Sequence, residues 1–212
     1  MNLPRLPRFY PILDVLAIRS RGLEIAPVAT EILAGGATIL QFRHKGVFAN
    51  ELLCEIEQVR DLCAQAGAIF VMNDRADIAK LVGAGVHLGQ EDLRPREARA
   101  IAGESALIGF STHNESQIRE AIEEPADYLA FGPVFGTRSK ENPDPVVGLA
   151  ELRRIRAMVA KPLVAIGGIT RANARSVIGA GADSVAVIGD LYSSRDIRAC
   201  VKEWVDILNC SY

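Results

Sequence analysis

The stretch ATILQFRHK, residues 37–45, decides how this chain folds. It opens as an apolar run and closes on Gln41, Arg43 and Lys45, spaced by two. Side chains alternate faces along a strand, so these three point one way while Phe42 and His44 point the other. An unpaired cation in a low-dielectric interior is strongly disfavoured, so the triplet marks the open end of a strand. The competing reading leaves Lys45 solvated beyond the strand and pairs Arg43 with an acid on a neighbouring strand.

The same grammar recurs outward along the chain. Asn73 and Asp74 end the run 68–72, and Gln90, Glu91 and Asp92 follow 86–88. Ser111 and His113 follow 107–110, Thr137, Ser139 and Lys140 follow 128–135, and Gly167 and Gly168 follow 163–166. If the runs are parallel strands, every one of these groups gathers at one end of one sheet. Ligands bind at that end of parallel α/β folds.

Strands are expected at 9–13, 38–42, 68–72, 86–88, 107–110, 128–131, 163–166 and 184–187. The intervening segments carry helical spacing: Ile25, Val28, Ala29, Ile32 and Leu33 in one, Leu52, Ile56, Val59 and Cys63 in the next. Asn114 with Gln117 resembles a capping box, and Pro95 suits a first helical position. Eight such pairs with no linker or low-complexity stretch predict a single (β/α)8 TIM barrel, an α/β domain spanning 1–212. A doubly wound open sheet is the alternative. It is weakened because no G-x-G-x-x-G follows the first strand, where Asp14 comes directly after Leu13.

Composition agrees. Apolar residues make up 49% of 212 and aromatics only 6%, as in a sheet covered on both faces. The net charge of -2 carries no basic stripe, which argues against nucleic acid as a partner. No segment is long and apolar enough for a membrane span, and the first residues lack the apolar core of a signal peptide. The four cysteines, Cys54, Cys63, Cys200 and Cys210, form no CxxC and read as free thiols of a reducing compartment. The expectation is a cytoplasmic protein with small-molecule partners; no oligomeric state is assigned.

At the mouth, Arg43 and Lys45 are candidate phosphate donors, and Gln41 can read the edge of a heterocycle. Asp74 and Asp92 end neighbouring strands, and two close carboxylates repel unless a cation lies between them. Mg2+ takes one or two carboxylates plus substrate phosphates, so a diphosphate–Mg2+ site is expected. Capping of the following helices is the competing reading of both aspartates. Gly167-Gly168 after strand seven and Ile188-Gly189 after strand eight offer backbone N–H groups to an anion, or simply make tight turns. The polar, proline-punctuated stretch 137–148 is either a solvated loop or a lid that brings Lys140 to a phosphate. Of the histidines, His87 reads as an interior residue, His44 as outward-facing, and His113 as lying at the mouth.

These motifs, in this order, resemble those of thiamine-phosphate synthases over nearly the whole chain. The matching stretches are QFRHKG at 41–46, MND at 72–74, HLGQED at 87–92 and STH at 111–113. GPVF at 132–135, TRSK at 137–140 and IGGI at 166–169 complete the set. The resemblance implies a transferase that joins hydroxymethylpyrimidine diphosphate to hydroxyethylthiazole phosphate, releasing pyrophosphate, with Mg2+ as cofactor. It implies that Gln41, Arg43, Lys45 and Asn73 hold the pyrimidine diphosphate, that Asp74 and Asp92 hold Mg2+, and that Ser111 contacts the pyrimidine. By the same resemblance Thr137 and Ser139 bind the thiazole phosphate and Lys140 the pyrophosphate. Gly168, Ile188 and Gly189 give backbone contacts, and Arg43, Lys45 and Lys140 stabilise charge in the reaction.

Two departures stand out. Gly136 and Ser139 replace a common Pro and Thr, and Gly189-Asp190 stands where a Ser is common. An aspartate beside a phosphate repels it unless its side chain turns away. Two rival readings are a thiazole tautomerase using His113 as acid–base, and a phosphate-binding barrel without catalysis. Neither has work for the paired aspartates.

Overall fold

The computed structural model describes residues 6–137 and 144–209. Its strands are β1 (Phe9–Asp14), β2 (Ile39–Arg43), β3 (Ile69–Asn73), β4 (Gly85–Leu88), β5 (Ile108–Thr112), β6 (Tyr128–Phe131), β7 (Leu163–Ile166) and β8 (Ser184–Val187). Each pairs in parallel with the next, and β8 returns to β1, where Phe9 sits opposite Val185. The barrel is closed, as the sequence predicts. Helices α1 (Val15–Arg19) and α2 (Ile25–Ala34) follow β1, and α3 (Asn50–Gln65), α4 (Ala76–Val82), α5 (Pro95–Ala102) and α6 (Glu115–Ile122) follow β2 to β5. Then α7 (Gly148–Arg156), α8 (Ala174–Gly179) and α9 (Ile197–Asn209) follow β6 to β8.

Local chemistry starts these helices where expected. Pro95 opens α5, and the Glu97 carboxylate accepts from the Arg94 N–H at 2.6 Å. Asn114 caps α6 by accepting from Gln117 N at 3.0 Å. Gln117 reaches back one residue further than a capping box requires, accepting from His113 N at 2.7 Å. The bond therefore fixes the backbone of a residue at the barrel mouth.

Period-two alternation divides the core in two. Tyr10, Ile12, Ile39, Val71, Tyr128 and Val164 fill the barrel. Leu13, Leu40, Phe42, Met72, Leu129 and Phe131 face outward against the helices. Each fully buried apolar side chain contributes roughly 1.5–3 kcal/mol. Gly109 belongs to the inner set by parity, and only glycine fits there. A Cβ at that position would lie 2.0 Å from Cζ of Tyr128.

Trp204 on α9 is fully buried and stacks on Phe9 of β1, with ring centroids 5.3 Å apart. The last helix is thereby tied to the first strand. Cys63 and Cys200 are buried thiols, and Cys54 is exposed. No helix among the described residues is long and apolar enough to cross a membrane.

Candidate active site

Parity carries Gln41, Asn73, His87 and Ser111 into the barrel at the top of its apolar filling. A cavity of about 450 Å³ opens over them. Its lining includes Arg43, Thr137, Gly168, Ile188 and Gly189 as well, so most of the residues singled out in the sequence share one space. Lys45, Asp74 and Asp92 do not line it. They form their own cluster beside it, one residue past Asn73. Ser139 and Lys140 lie outside the described residues.

The floor is a chain of hydrogen bonds that crosses the barrel. Gln41 Nε2 donates to Tyr10 Oη at 3.1 Å, and the hydroxyls of Tyr10 and Tyr128 meet at 2.8 Å. Tyr128 Oη lies 3.0 Å from His87 Nδ1, and His87 Nε2 lies 2.8 Å from Ser111 Oγ. Burial pushes the Tyr10 phenol up to about 12 and the Tyr128 phenol well above its ordinary value, so both stay neutral hydroxyls. His87 is thus a satisfied interior residue whose second nitrogen reaches the site. Asn73 completes the floor differently, because its Nδ2 is buried with no hydrogen-bond partner among the described residues. Leaving such a donor unpaired costs about 1–3 kcal/mol, which a ligand acceptor would recover.

On the β1–β4 side, both cations are already paired. Arg43 Nη1 donates to Asp14 Oδ2, the acid opposite it in register on β1. Lys45 Nζ donates to Asp74 Oδ2 at 2.5 Å and is more than half exposed. The competing reading of the triplet is therefore also realised, with Arg43 on a neighbouring strand's acid and Lys45 beyond the strand. Asp74 sits at φ 65, a left-handed conformation that L residues seldom adopt, directly after β3. Burial first, and the adjoining Asp92 carboxyl second, push Asp74 up to about 6, partly offset by Lys45.

Neither aspartate caps a helix. The first turn of α4 has no side-chain cap, and Asp92 Oδ2 instead accepts from Gly89 N at 2.7 Å. Among the described residues no group of three or more His, Cys, Asp or Glu could hold a metal alone. Two adjoining carboxylates remain, the number that suits Mg2+ when a diphosphate supplies further oxygens.

On the β7–β8 side the lining is backbone. Gly167 has φ 99 and Gly168 has φ 61, and a Cβ would lie 2.3 Å from Pro133 Cβ or 2.4 Å from Gly136 O respectively. Both glycines are required by the turn itself, and that turn brings main chain to the cavity wall. After β8, Gly189–Tyr192 is a 3-10 turn. Asp190 directs its carboxylate to Arg171 and to the Trp204 indole, at 3.0 and 2.9 Å. At the back of the cavity, His113 Nδ1 donates to Gly132 O at 2.6 Å, and its Nε2 faces Asp144 at 3.5 Å. His44 packs edge-on against Phe48, outside this space.

Tyr10, Tyr128 and Asp14 are site residues that reading the sequence misses. Asp14 carried a signal, since it ends the first strand as Arg43 ends the second. The tyrosines carried none, because 118 positions separate two hydroxyls that touch.

The profile of the thiamine monophosphate synthase family matches residues 10–191. A thiamine-phosphate synthase of Koribacter versatilis is 47% identical over 97% of both chains. One of Chloroflexus aurantiacus is 40% identical, covering 92% of this chain and 90% of its own. Among solved structures, thiamine phosphate pyrophosphorylase from Pyrococcus furiosus superposes with a TM-score of 0.86 at 36% identity, over 98% of each chain. A shared barrel could be fold alone, but identities of this size over nearly full length are not. The chain belongs to the thiamine monophosphate synthase family of transferases.

Proposed function

We propose that the protein joins 4-amino-5-hydroxymethyl-2-methylpyrimidine diphosphate to hydroxyethylthiazole phosphate, giving thiamine monophosphate and pyrophosphate. One observation supports this most directly. The cavity has Arg43 and an unpaired buried Asn73 amide on one side, with the Lys45–Asp74–Asp92 cluster beside them, and glycine-lined main chain on the other. That arrangement suits two phosphorylated partners of different charge held face to face. It is a cytoplasmic reaction on this reading, with only small molecules as partners.

In this mechanism the bond from the pyrimidine methylene carbon to the diphosphate oxygen breaks first, and its electron pair leaves with pyrophosphate. The thiazole nitrogen then donates its lone pair to that carbon. No side-chain nucleophile is required. Gln41 and Ser111, both held by the barrel-crossing chain, orient the pyrimidine, and Asn73 donates to it or to its diphosphate. Arg43, Lys45 and Lys140 stabilise the charge that develops on the leaving group. Thr137, Ser139 and the main chain at Gly168, Ile188 and Gly189 hold the thiazole phosphate, which places its nitrogen for attack. Asp74 and Asp92 would hold Mg2+, which would supply neutralisation of the diphosphate charge.

The test is pyrophosphate release by the purified protein, with each substrate and Mg2+ omitted in turn. Release that needs all three is expected. Thiazole-phosphate binding without any release would move the reading to the tautomerase or the non-catalytic binder.

A further inference from the structure

We propose that Asp190 is a positioning residue for the phosphate end of the site, acting through Arg171 to hold the turns after β7 and β8 as one unit. The inference rests on the proposed reading that the thiazole phosphate is held at Gly168 and Gly189. Asp190 is an unexpected neighbour for that phosphate, since it lines the same cavity and carries negative charge. Its side chain is nevertheless only 11% exposed, and its Oδ2 accepts from Arg171 Nε and Trp204 Nε1 at 3.0 and 2.9 Å. The carboxylate is turned into the protein and neutralised there.

The partners explain why it is an aspartate. Arg171 comes from the connection after β7, three residues past Gly168. Its Nη2 donates to Ser193 Oγ at 3.0 Å, and Ser193 Oγ donates to the Asp190 carbonyl at 2.7 Å. A closed ring of hydrogen bonds therefore runs from Asp190 across to Arg171 and back through Ser193. Trp204 fixes the ring to the core, because its indole is fully buried against Phe9. On its other flank the β7 turn is pinned by Asn173, whose Nδ2 donates to Gly168 O at 3.1 Å. Charge-assisted bonds of this kind hold geometry better than neutral ones. Removing the carboxylate leaves the buried Trp204 N–H and Arg171 Nε without their acceptor, and Arg171 then rests only on Ser193 and on Glu203, to which its Nη1 donates.

Two roles for Asp190 predict opposite signs. If it acts only as an anion near the phosphate, its removal tightens phosphate binding. If it anchors the two turns, its removal loosens that binding. The experiment is steady-state kinetics of the wild type, Asp190→Ala, Asp190→Asn, Arg171→Ala and the Asp190→Ala/Arg171→Ala double variant, varying each substrate at saturating Mg2+.

Asp190→Ala and Arg171→Ala are expected to raise KM for the thiazole phosphate about tenfold, the scale of one charge-assisted hydrogen bond. KM for the pyrimidine diphosphate and kcat should stay within about twofold, the pattern of lost ground-state binding. Asp190→Asn keeps an acceptor oxygen and should fall between wild type and Asp190→Ala. The double variant should be no worse than Asp190→Ala alone, because both substitutions break one ring.

A lower KM in Asp190→Ala would overturn the proposal, as would lowered thermal stability with unchanged KM or equal rises in both KM values. If Asp190→Ala does not fold, Asp190→Asn and Arg171→Ala read the same split. A wild type without turnover would sink the functional reading itself. Turnover with no split in KM would sink this inference alone.

Discussion

At the scale of single residues, the described side chains of the barrel-crossing chain satisfy one another before any ligand arrives, whereas the Asn73 amide is buried without a partner among the described residues. The Tyr10–Tyr128–His87 links carry that order, and Tyr128 is the centre, bonded on both sides. Tyr128→Phe keeps the ring and deletes both bonds, leaving the buried Tyr10 hydroxyl and His87 Nδ1 each short of a partner. A loss of about 1–3 kcal/mol in unfolding free energy is expected from denaturant titration. Unchanged stability would mean that water takes the place of the missing hydroxyl. Asp14 and Asp190 show a related habit: each acid near the mouth is bound to a guanidinium, from Arg43 and Arg171 respectively.

At the scale of elements, strand ends were readable because apolar runs stop where polar chains begin. The expected and observed strands agree to within about two residues at most ends, and β6, β7 and β8 coincide. The contacts between strands were not readable. Periodicity says which face a side chain takes, whereas closure of the barrel decides whom it meets. Gly109 illustrates this: as sequence it is an unremarked glycine in an apolar run, yet the Tyr128 ring from the next strand occupies the space its side chain would need. Gly109→Ala forces β5 and β6 to adjust, and overpacking of this kind costs about 1–3 kcal/mol. A lowered unfolding midpoint is the expected outcome, and an unaltered one would show that the ring moves aside at no cost. The Arg171–Asp190–Trp204 contacts were hidden for the same reason, since they join the β7 turn, the β8 turn and the last helix.

At the scale of the whole molecule, stability and pH are linked through the aspartate pair. Asp74 titrates near 3.8 when unfolded and about 6 when folded, so the native state binds more protons between those values. Without divalent cation, stability should fall by about 1–3 kcal/mol as pH rises from 4 to above 6, and the contribution is absent beyond that. Denaturant unfolding in chelator at pH 4.5 and 7 checks it: Asp74→Asn should flatten this part of the profile, and parallel profiles for variant and wild type would refute the assignment. The same pairing has a second effect on a protein whose net charge is only -2. Because Arg43 rests on Asp14 and Lys45 on Asp74, an anion that comes to this side of the mouth must compete for these two cations, which are already engaged. The mouth behaves as an ion exchanger and not as an open sink. An incoming ligand is selected by how far its charge exceeds that of the carboxylates it displaces, so a singly charged intruder gains little from the exchange.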